Sequence, residues 1–191
     1  MKKYRFTLVE ILVATGIIAI LAGMGFAGYR LAVDSGRENN TKMLITQITT
    51  ALDNCKNKVG FYPAAENYGD ITFTFEKINS VKGAKLESVS FSGTIFKKSD
   101  SGAKKKFFDL FTKALDMEQI KSACGSDDDD VLRDSWGNPV KYKFPGSINT
   151  TKYDVISAGA DGIFGKDDKI PSKSDYFDDS GERLYDDVAN F

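Results

Sequence analysis

The 191-residue sequence contains no histidine. That absence removes the commonest general base and the commonest transition-metal ligand together. No Ser-His-Asp or Cys-His nucleophile can be assembled, nor a His-ligated zinc site. Ser-Lys and two-carboxylate chemistry need no histidine, but no motif points to either, and the chain reads as a non-enzyme. Cysteine is scarce as well: Cys55 and Cys124 stand alone and far apart. They read either as a disulfide, as suits a domain outside the cytoplasm, or as two separate buried thiols. Sequence spacing does not fix the Cα separation that a disulfide needs. An excess of either charge is also missing, with 26 basic and 27 acidic residues, net charge −1 and pI about 5.6. This argues against a general grip on nucleic acid. The balance hides an asymmetry, because the first few residues are basic and the tail from Asp154 onward is rich in Asp. Ends of opposite charge suggest ends that reside in different places.

What the chain does have is one long apolar run. From Phe6 to Tyr29 every residue is apolar or small except Glu10 and two threonines. As a helix rising about 1.5 Å per residue it would reach ~36 Å, enough for a hydrocarbon core of ~30 Å. A cleaved secretory signal would be shorter and end in a small-residue site, so the run predicts a retained membrane helix. Lys2, Lys3 and Arg5 precede it, whereas Arg30, Asp34, Arg37 and Glu38 follow in mixed sign. The positive-inside bias puts the N-terminus in the cytoplasm and exports the rest. Gly16, Gly23, Gly25 and Gly28 permit close helix approach or local melting, or are ordinary membrane-helix composition.

Glu10 is the exception in this run. A carboxylate at the centre of a membrane helix costs about 2.5–3.5 kcal/mol, and less near the interface. It reads either as an acid at headgroup level, charged or protonated, or as a group that pairs with a positive charge on a neighbouring chain.

Beyond the run, Leu44, Ile48, Leu52, Cys55 and Val59 recur at three- and four-residue steps, forming one apolar helical stripe. No proline falls between Phe6 and Val59, which predicts one helix of about 80 Å. Asp34-Ser35-Gly36 is a candidate kink, and Gly60 with Pro63 supplies the stop. Alternating patterns predict strands over 71–78, 85–96 and 140–144, and 104–123 reads as a helix with Phe108, Phe111, Leu115 and Ile120 near one face. GSDDDD (125–130) is a solvated loop or a cation site. Trp136-Gly137-Asn138-Pro139 is a turn feeding a strand. SAGADGIFGKDDKI (157–170) sets Asp161, Asp167 and Asp168 among three glycines. That composition suits a hard, oxygen-seeking cation such as Ca²⁺, or an exposed acidic turn; it is not an EF-hand pattern.

FTLVEILVA (6–14) resembles the class III signal of type IV pilins and type II secretion pseudopilins, usually Gly-Phe-Thr-Leu-[Ile/Leu/Val]-Glu. DSWGNPVKY (134–142) is similar to Asp-Pro-Trp-Gly-Asn-Pro-Tyr of the major pseudopilin, with Ser135 where that family has Pro. YDVISAGADG (153–162) resembles its Tyr-Asp-Leu-Tyr-Ser-Leu-Gly-Ala-Asp-Gly. The resemblance covers 6–63 and 134–170, and leaves 64–133 as an enlarged variable insert.

The resemblance implies an α+β, pilin-like fold, with a long N-terminal helix packed on a small antiparallel sheet and a calcium-type C-terminal loop. Residues 1–5 would be a leader, 6–29 a transmembrane and polymerisation helix and 30–63 its amphipathic continuation. Residues 64–191 would be a periplasmic head, with sheet and acidic loop in 134–191. A prepilin peptidase would cut between Arg5 and Phe6 and methylate the new amine, and Glu10 would neutralise that amine on an adjacent subunit. Arg5 stands where the family has Gly, so cleavage and a retained leader are both open. The Ala158 carbonyl, Asp161 and Asp168 fall on the family's Ca²⁺ positions, with Asp167 as an extra ligand and Asp175, Asp178, Asp179, Asp186 and Asp187 as reserves.

The implied function is a subunit of the pseudopilus of a type II secretion system. It would be single-pass in the bacterial inner membrane before entering a filament. Its partners would be copies of itself, other pseudopilins, the inner-membrane assembly platform, the peptidase and the membrane. The alternatives are a type IV or minor pilin, or a membrane-anchored, calcium-dependent binding module with its leader uncleaved.

Overall fold

In a computed structural model the described residues are 7–78, 81–125, 130–165, 169, 170, 176 and 187–190; the side chains of 24–28, 78, 81, 82 and 84 are outside the description. The chain divides into two units, 1–37 and 38–191. Helix α1 spans Leu8–Val59 and contributes to both. It is helical through Asp34-Ser35-Gly36 and stops where the sequence predicts. Gly60 takes φ +98°, its N–H bonds to the Lys56 carbonyl at 2.9 Å, and the Lys56 ammonium donates to the Gly60 carbonyl at 2.7 Å. Glycine adopts that backbone without a Cβ penalty and so closes the helix.

In the first unit every described residue from Thr7 to Gly23 is exposed. Leu8, Val9, Ile11, Leu12, Ile17, Ile18 and Leu21 each show more than half of their surface. The apolar character runs all round the helix rather than along one stripe, as in helices surrounded by apolar material. The expected membrane span over 6–29 is not reproduced among the described residues, where no helix is long and apolar enough to cross a membrane. Phe6 and the side chains of 24–28 lie outside the description. The described apolar stretch, Leu8–Gly23, covers only about 24 Å at 1.5 Å per residue, short of a ~30 Å core.

In the second unit, the 38–59 part of α1 buries Leu44, Ile45, Ile48, Ala51, Leu52 and Cys55, with Val59 packed at the margin. The predicted stripe is therefore the core face. It lies on a six-stranded, wholly antiparallel sheet ordered β3-β2-β1-β4-β5-β6. The strands are β1 Ala65–Ile78, β2 Val81–Phe91, β3 Thr94–Lys97, β4 Lys141–Phe144, β5 Asp154–Ser157 and β6 Val188–Ala189.

Two predicted elements are each divided in the structure. The run 85–96 is not one strand: Ser92 (φ +48°) and Gly93 (φ +90°) form a two-residue turn between β2 and β3. Two successive positive φ values match the twist of a tight hairpin. The run 104–123 is likewise two helices, α2 Gly102–Lys113 and α3 Met117–Ala123. Asp116 makes the break, because its carboxylate accepts from the Glu118 and Gln119 N–H groups at 3.1 and 3.2 Å and starts a new helix.

The insert is tied into the common core by aromatic rings. Phe91 on β2 meets Phe96 at 6.4 Å, Phe107 at 6.1 Å, Phe111 at 5.2 Å and Tyr142 at 5.0 Å, all edge-to-face. That geometry sets ring edges against ring faces, the favoured arrangement for two quadrupoles. A smaller cluster of Ile148, Ile156, Ala158, Phe164 and Tyr176 seats the C-terminal loop.

Candidate functional site

At the start of α1, Glu10 closes a capping box with Thr7. Its Oε2 accepts from the Thr7 N–H at 2.7 Å and the Thr7 hydroxyl at 2.8 Å, and the Glu10 N–H donates back to Thr7 Oγ1 at 3.3 Å. The pattern Thr-x-x-Glu satisfies first-turn donors that the helix itself leaves unpaired. The acid expected to seek a partner on another chain is here satisfied within its own helix. The T-x-x-E spacing in FTLVE was the signal for this. Arg5 and Phe6 lie outside the described residues.

The turn Asp134–Pro139 and the loop from Ser157 onward meet through one carboxylate. Asp134 is buried; its Oδ1 accepts from the Trp136 and Asn138 N–H groups, both at 2.8 Å, and its Oδ2 from the Ser157 hydroxyl at 2.5 Å. Asn138 Nδ2 donates to the Gly159 carbonyl at 2.8 Å, and the Gly159 N–H to Ser157 Oγ at 3.2 Å. The Ser135 N–H reaches Thr41 Oγ1 on α1 at 3.2 Å. Asp134 thus ties the turn to the loop, and the neighbouring Ser135 N–H ties the turn to α1. Gly162 (φ +74°) sits under the Asn138 side chain, which a Cβ there would meet at 3.4 Å.

A second buried acid, Asp154, organises the β4–β5 connection. Its Oδ2 accepts from the Tyr68 hydroxyl at 2.5 Å and the Ser147 and Ile148 N–H groups at 2.6 and 2.9 Å, and its Oδ1 from the Asn149 N–H at 2.8 Å. Three successive backbone donors form a nest for the carboxylate. Burial beside Asp154 pushes the Tyr68 hydroxyl well above the usual tyrosine range, so Tyr68 acts as a fixed donor.

Residues 108–172 match the family model of Type II secretion system (T2SS), protein G. The match covers about a third of the chain. Protein G is the major pseudopilin, and its family is one of structural secretion-system subunits rather than enzymes. No curated protein and no solved structure matches the chain. The protein G segment begins inside α2 and takes in α3, both assigned to the variable insert on sequence grounds, and it does not extend to α1. It contains both acid hubs and the loop 157–165.

Of the expected cation ligands, Ala158 is fully buried and Asp161 is exposed, its Oδ1 accepting from the Ile163 N–H at 2.8 Å. Asp167, Asp168, Asp175, Asp178, Asp179, Asp186 and residues 126–129 lie outside the described residues. Asp187, only a reserve on sequence grounds, is buried beside the loop and accepts from the Gly165 N–H at 3.0 Å. Among the described residues no group of three or more acidic or thiol side chains is placed to hold a metal. The loop backbone is turned by Gly159, Gly162 and Gly165 at φ +67°, +74° and +54°, and the side chains expected as ligands would offer oxygen alone, the donor type of a hard cation.

Cys55 and Cys124 are both buried and are not joined in a disulfide. Burial pushes the Cys55 thiol up to about 12, against a small opposing effect of Lys58. At neutral pH it remains a packed thiol rather than a nucleophile.

A third carboxylate, Asp53, carries the expectation of a pH-dependent stability. Asp53 on α1 accepts from the Tyr62 and Tyr153 hydroxyls at 2.9 and 3.0 Å and pairs with Lys152 at 3.2 Å. Burial raises its pKa, but the hydrogen bonds from Tyr62, Lys152 and Tyr153 outweigh it, and the folded value lies below 3.8. A depressed folded pKa stabilises the fold above the unfolded value, and that stabilisation disappears as pH falls through the folded one. Thermal melting followed from pH 7 to pH 2 should therefore show a loss of stability below about pH 4, and Asp53→Asn should flatten that limb while lowering stability at pH 7. An unchanged limb in the variant would rule Asp53 out as its source.

Proposed function

We propose that the chain is a pseudopilin-type structural subunit that polymerises through its N-terminal helix within a type II secretion system. The single observation that carries this reading is the Leu8–Gly23 helix, apolar and exposed on every side, in a chain whose 108–172 segment matches the protein G family model. Apolar surface on that scale needs a partner. Lipid would supply it first and sister helices later, with other pseudopilins and the assembly platform as neighbours and the head on the periplasmic side. Phe6 would become the N-terminus after peptidase cleavage. On packing, Glu10 would leave its capping box for that amine on the next subunit, an attraction of about 4 kcal/mol at ~4 Å and dielectric ~20 before desolvation.

The test is Glu10→Gln in cells that carry the whole machinery. Expected is normal membrane insertion with filaments and secretion lost; wild-type filament levels would defeat the proposal. A second reading, a membrane-anchored binding module with its leader retained, is favoured by the capping box, which already satisfies Glu10 without any partner. It predicts no effect on secretion from Glu10→Gln and an intact Met1 by mass spectrometry.

We further propose that the loop 157–170 holds a structural Ca²⁺ through the Ala158 carbonyl, Asp161, Asp167 and Asp168, with Asp187 joining the set. The ion would remove repulsion among these acids and fix the loop. Melting should occur several degrees higher in Ca²⁺ than in excess chelator, since a ligand at 100 times its Kd adds about 2.7 kcal/mol. Coincident melting curves would discard the site.

A further inference from the structure

β2 is longer than the strand that covers it. β3 pairs with it only over Ser88–Phe91, and the last link is the Lys98 N–H to the Glu87 carbonyl at 2.8 Å. From Val81 to Leu86, β2 pairs with β1 on one side and, among the described residues, with no strand on the other. Among the described residues, a row of backbone donors and acceptors is therefore without a strand partner where β3 ends, at the side of the sheet that carries α2.

Two hollows lie at the end of that open edge, where β3 begins to cover β2. One, of about 320 Å³, is bordered by Leu86 with Phe108 and Thr112 of α2, Met117 of α3, and Lys98 and Lys113. The other, of about 520 Å³, is bordered by Thr74, Glu87, Ser88, Lys97, Lys98 and Ser99. Leu86 is core-facing, and the extra residue Glu87 between the Phe75–Leu86 and Thr74–Ser88 pairs shifts the alternation so that Ser88 faces outward; the first hollow therefore lies toward the core side of the sheet and the second toward its outer side. Lys98 borders both. Successive side chains of a strand point to opposite faces, so a strand added beside Val81–Leu86 and running up to Lys98 would turn neighbouring side chains toward the two hollows at that end.

The lining defines what those side chains must be. Leu86, Phe108 and Met117 give the first hollow an apolar floor. Lys97, Lys98 and Lys113 are exposed and make no side-chain ion pair among the described residues. One carboxylate borders each hollow: Asp109 in the first, already paired with Lys105 at 2.5 Å, and Glu87 in the second, outnumbered there by Lys97 and Lys98. We propose that the uncovered end of β2 is a docking edge for an extended, acidic strand of a partner protein. Its apolar residues would enter the Leu86–Phe108–Met117 hollow and its alternate acids would meet Lys97 and Lys98. Backbone pairing would give affinity and the two hollows specificity, as in other strand-addition complexes. This goes beyond the subunit reading and does not depend on it.

The test uses the full chain in detergent micelles and a fluorescent heptapeptide of alternating Asp and Leu, read by anisotropy. Three controls accompany it: the same residues with the alternation broken, a Lys/Leu counterpart, and the Asp/Leu peptide N-methylated at every second amide. The alternating acidic peptide should bind saturably, the Lys/Leu peptide should not, and broken alternation or N-methylation should each weaken binding at least about tenfold. Lys97→Glu with Lys98→Glu, both at exposed positions, should do the same. Equal binding of the N-methylated peptide, indifference to the double substitution, or no binding of the acidic peptide would each overturn the proposal.

Discussion

Asp154→Ala should destabilise the head by about 3–5 kcal/mol, among the largest effects of any single polar substitution. The carboxylate accepts four hydrogen bonds, three from the consecutive amides of Ser147, Ile148 and Asn149 and one from Tyr68. Alanine would leave all four donors to find water in a turn that is partly closed to it, at about 1–3 kcal/mol for each that stays buried and unsatisfied. Partial opening of the turn keeps the total below the simple sum. Asp154→Asn is not an innocent control, since its amide would face a donor with a donor. Local backbone room is also short, because a Cβ on Gly146 would lie 2.7 Å from the Asn149 carbonyl. Thermal denaturation of the full chain in detergent, followed by near-ultraviolet circular dichroism, would measure the loss. A variant within about 1 kcal/mol of wild type would mean that the nest is not needed for folding.

Phe91→Ala should cost a similar amount, about 3–5 kcal/mol, for a different reason. The ring is fully buried and has four aromatic neighbours drawn from β3, α2 and β4. Truncation would open a cavity that rigid neighbouring rings cannot collapse into, and it would remove four edge-to-face contacts. Phe91→Leu, which fills much of the volume but keeps none of the ring geometry, should lose clearly less. At about 2–4 °C per kcal/mol for a domain of this size, the alanine variant should melt roughly 6–20 °C lower. Equal melting of the Ala and Leu variants would mean that the site relaxes and that the ring contacts contribute little.

These two residues also mark what was legible in the sequence. The stripe Leu44-Ile48-Leu52-Cys55 could be read because a helix repeats its core face at fixed steps, and the structure buries those residues. The stop at Gly60 was legible because glycine there has one conformational purpose. The hairpin at Ser92-Gly93 was not, since a short turn inside a long alternating run leaves the alternation almost intact on either side. The break before α3 was missed because Asp116 reads as one polar residue on a helix until its two hydrogen bonds are seen.

The acid hubs lay furthest from view. Asp134 and Asp154 stood inside the segments quoted for their resemblance to the major pseudopilin, but a sequence does not tell a carboxylate that collects amides from one exposed on a surface. The acids that composition did single out, Asp161, Asp167 and Asp168, owe their prominence to crowding. Of these, the structure describes only Asp161.

The bond set around Asp134 makes a surface turn behave like the interior of the sheet. Because one side chain clasps the amides of Trp136 and Asn138 and is itself held by Ser157, those two protons should not exchange with solvent through small local openings. They should exchange only when the whole head comes apart, together with amides in the middle of β1 and β4. A segment that looks like a loop would then report on global unfolding, and a labelled tryptophan amide would give that report from a single residue.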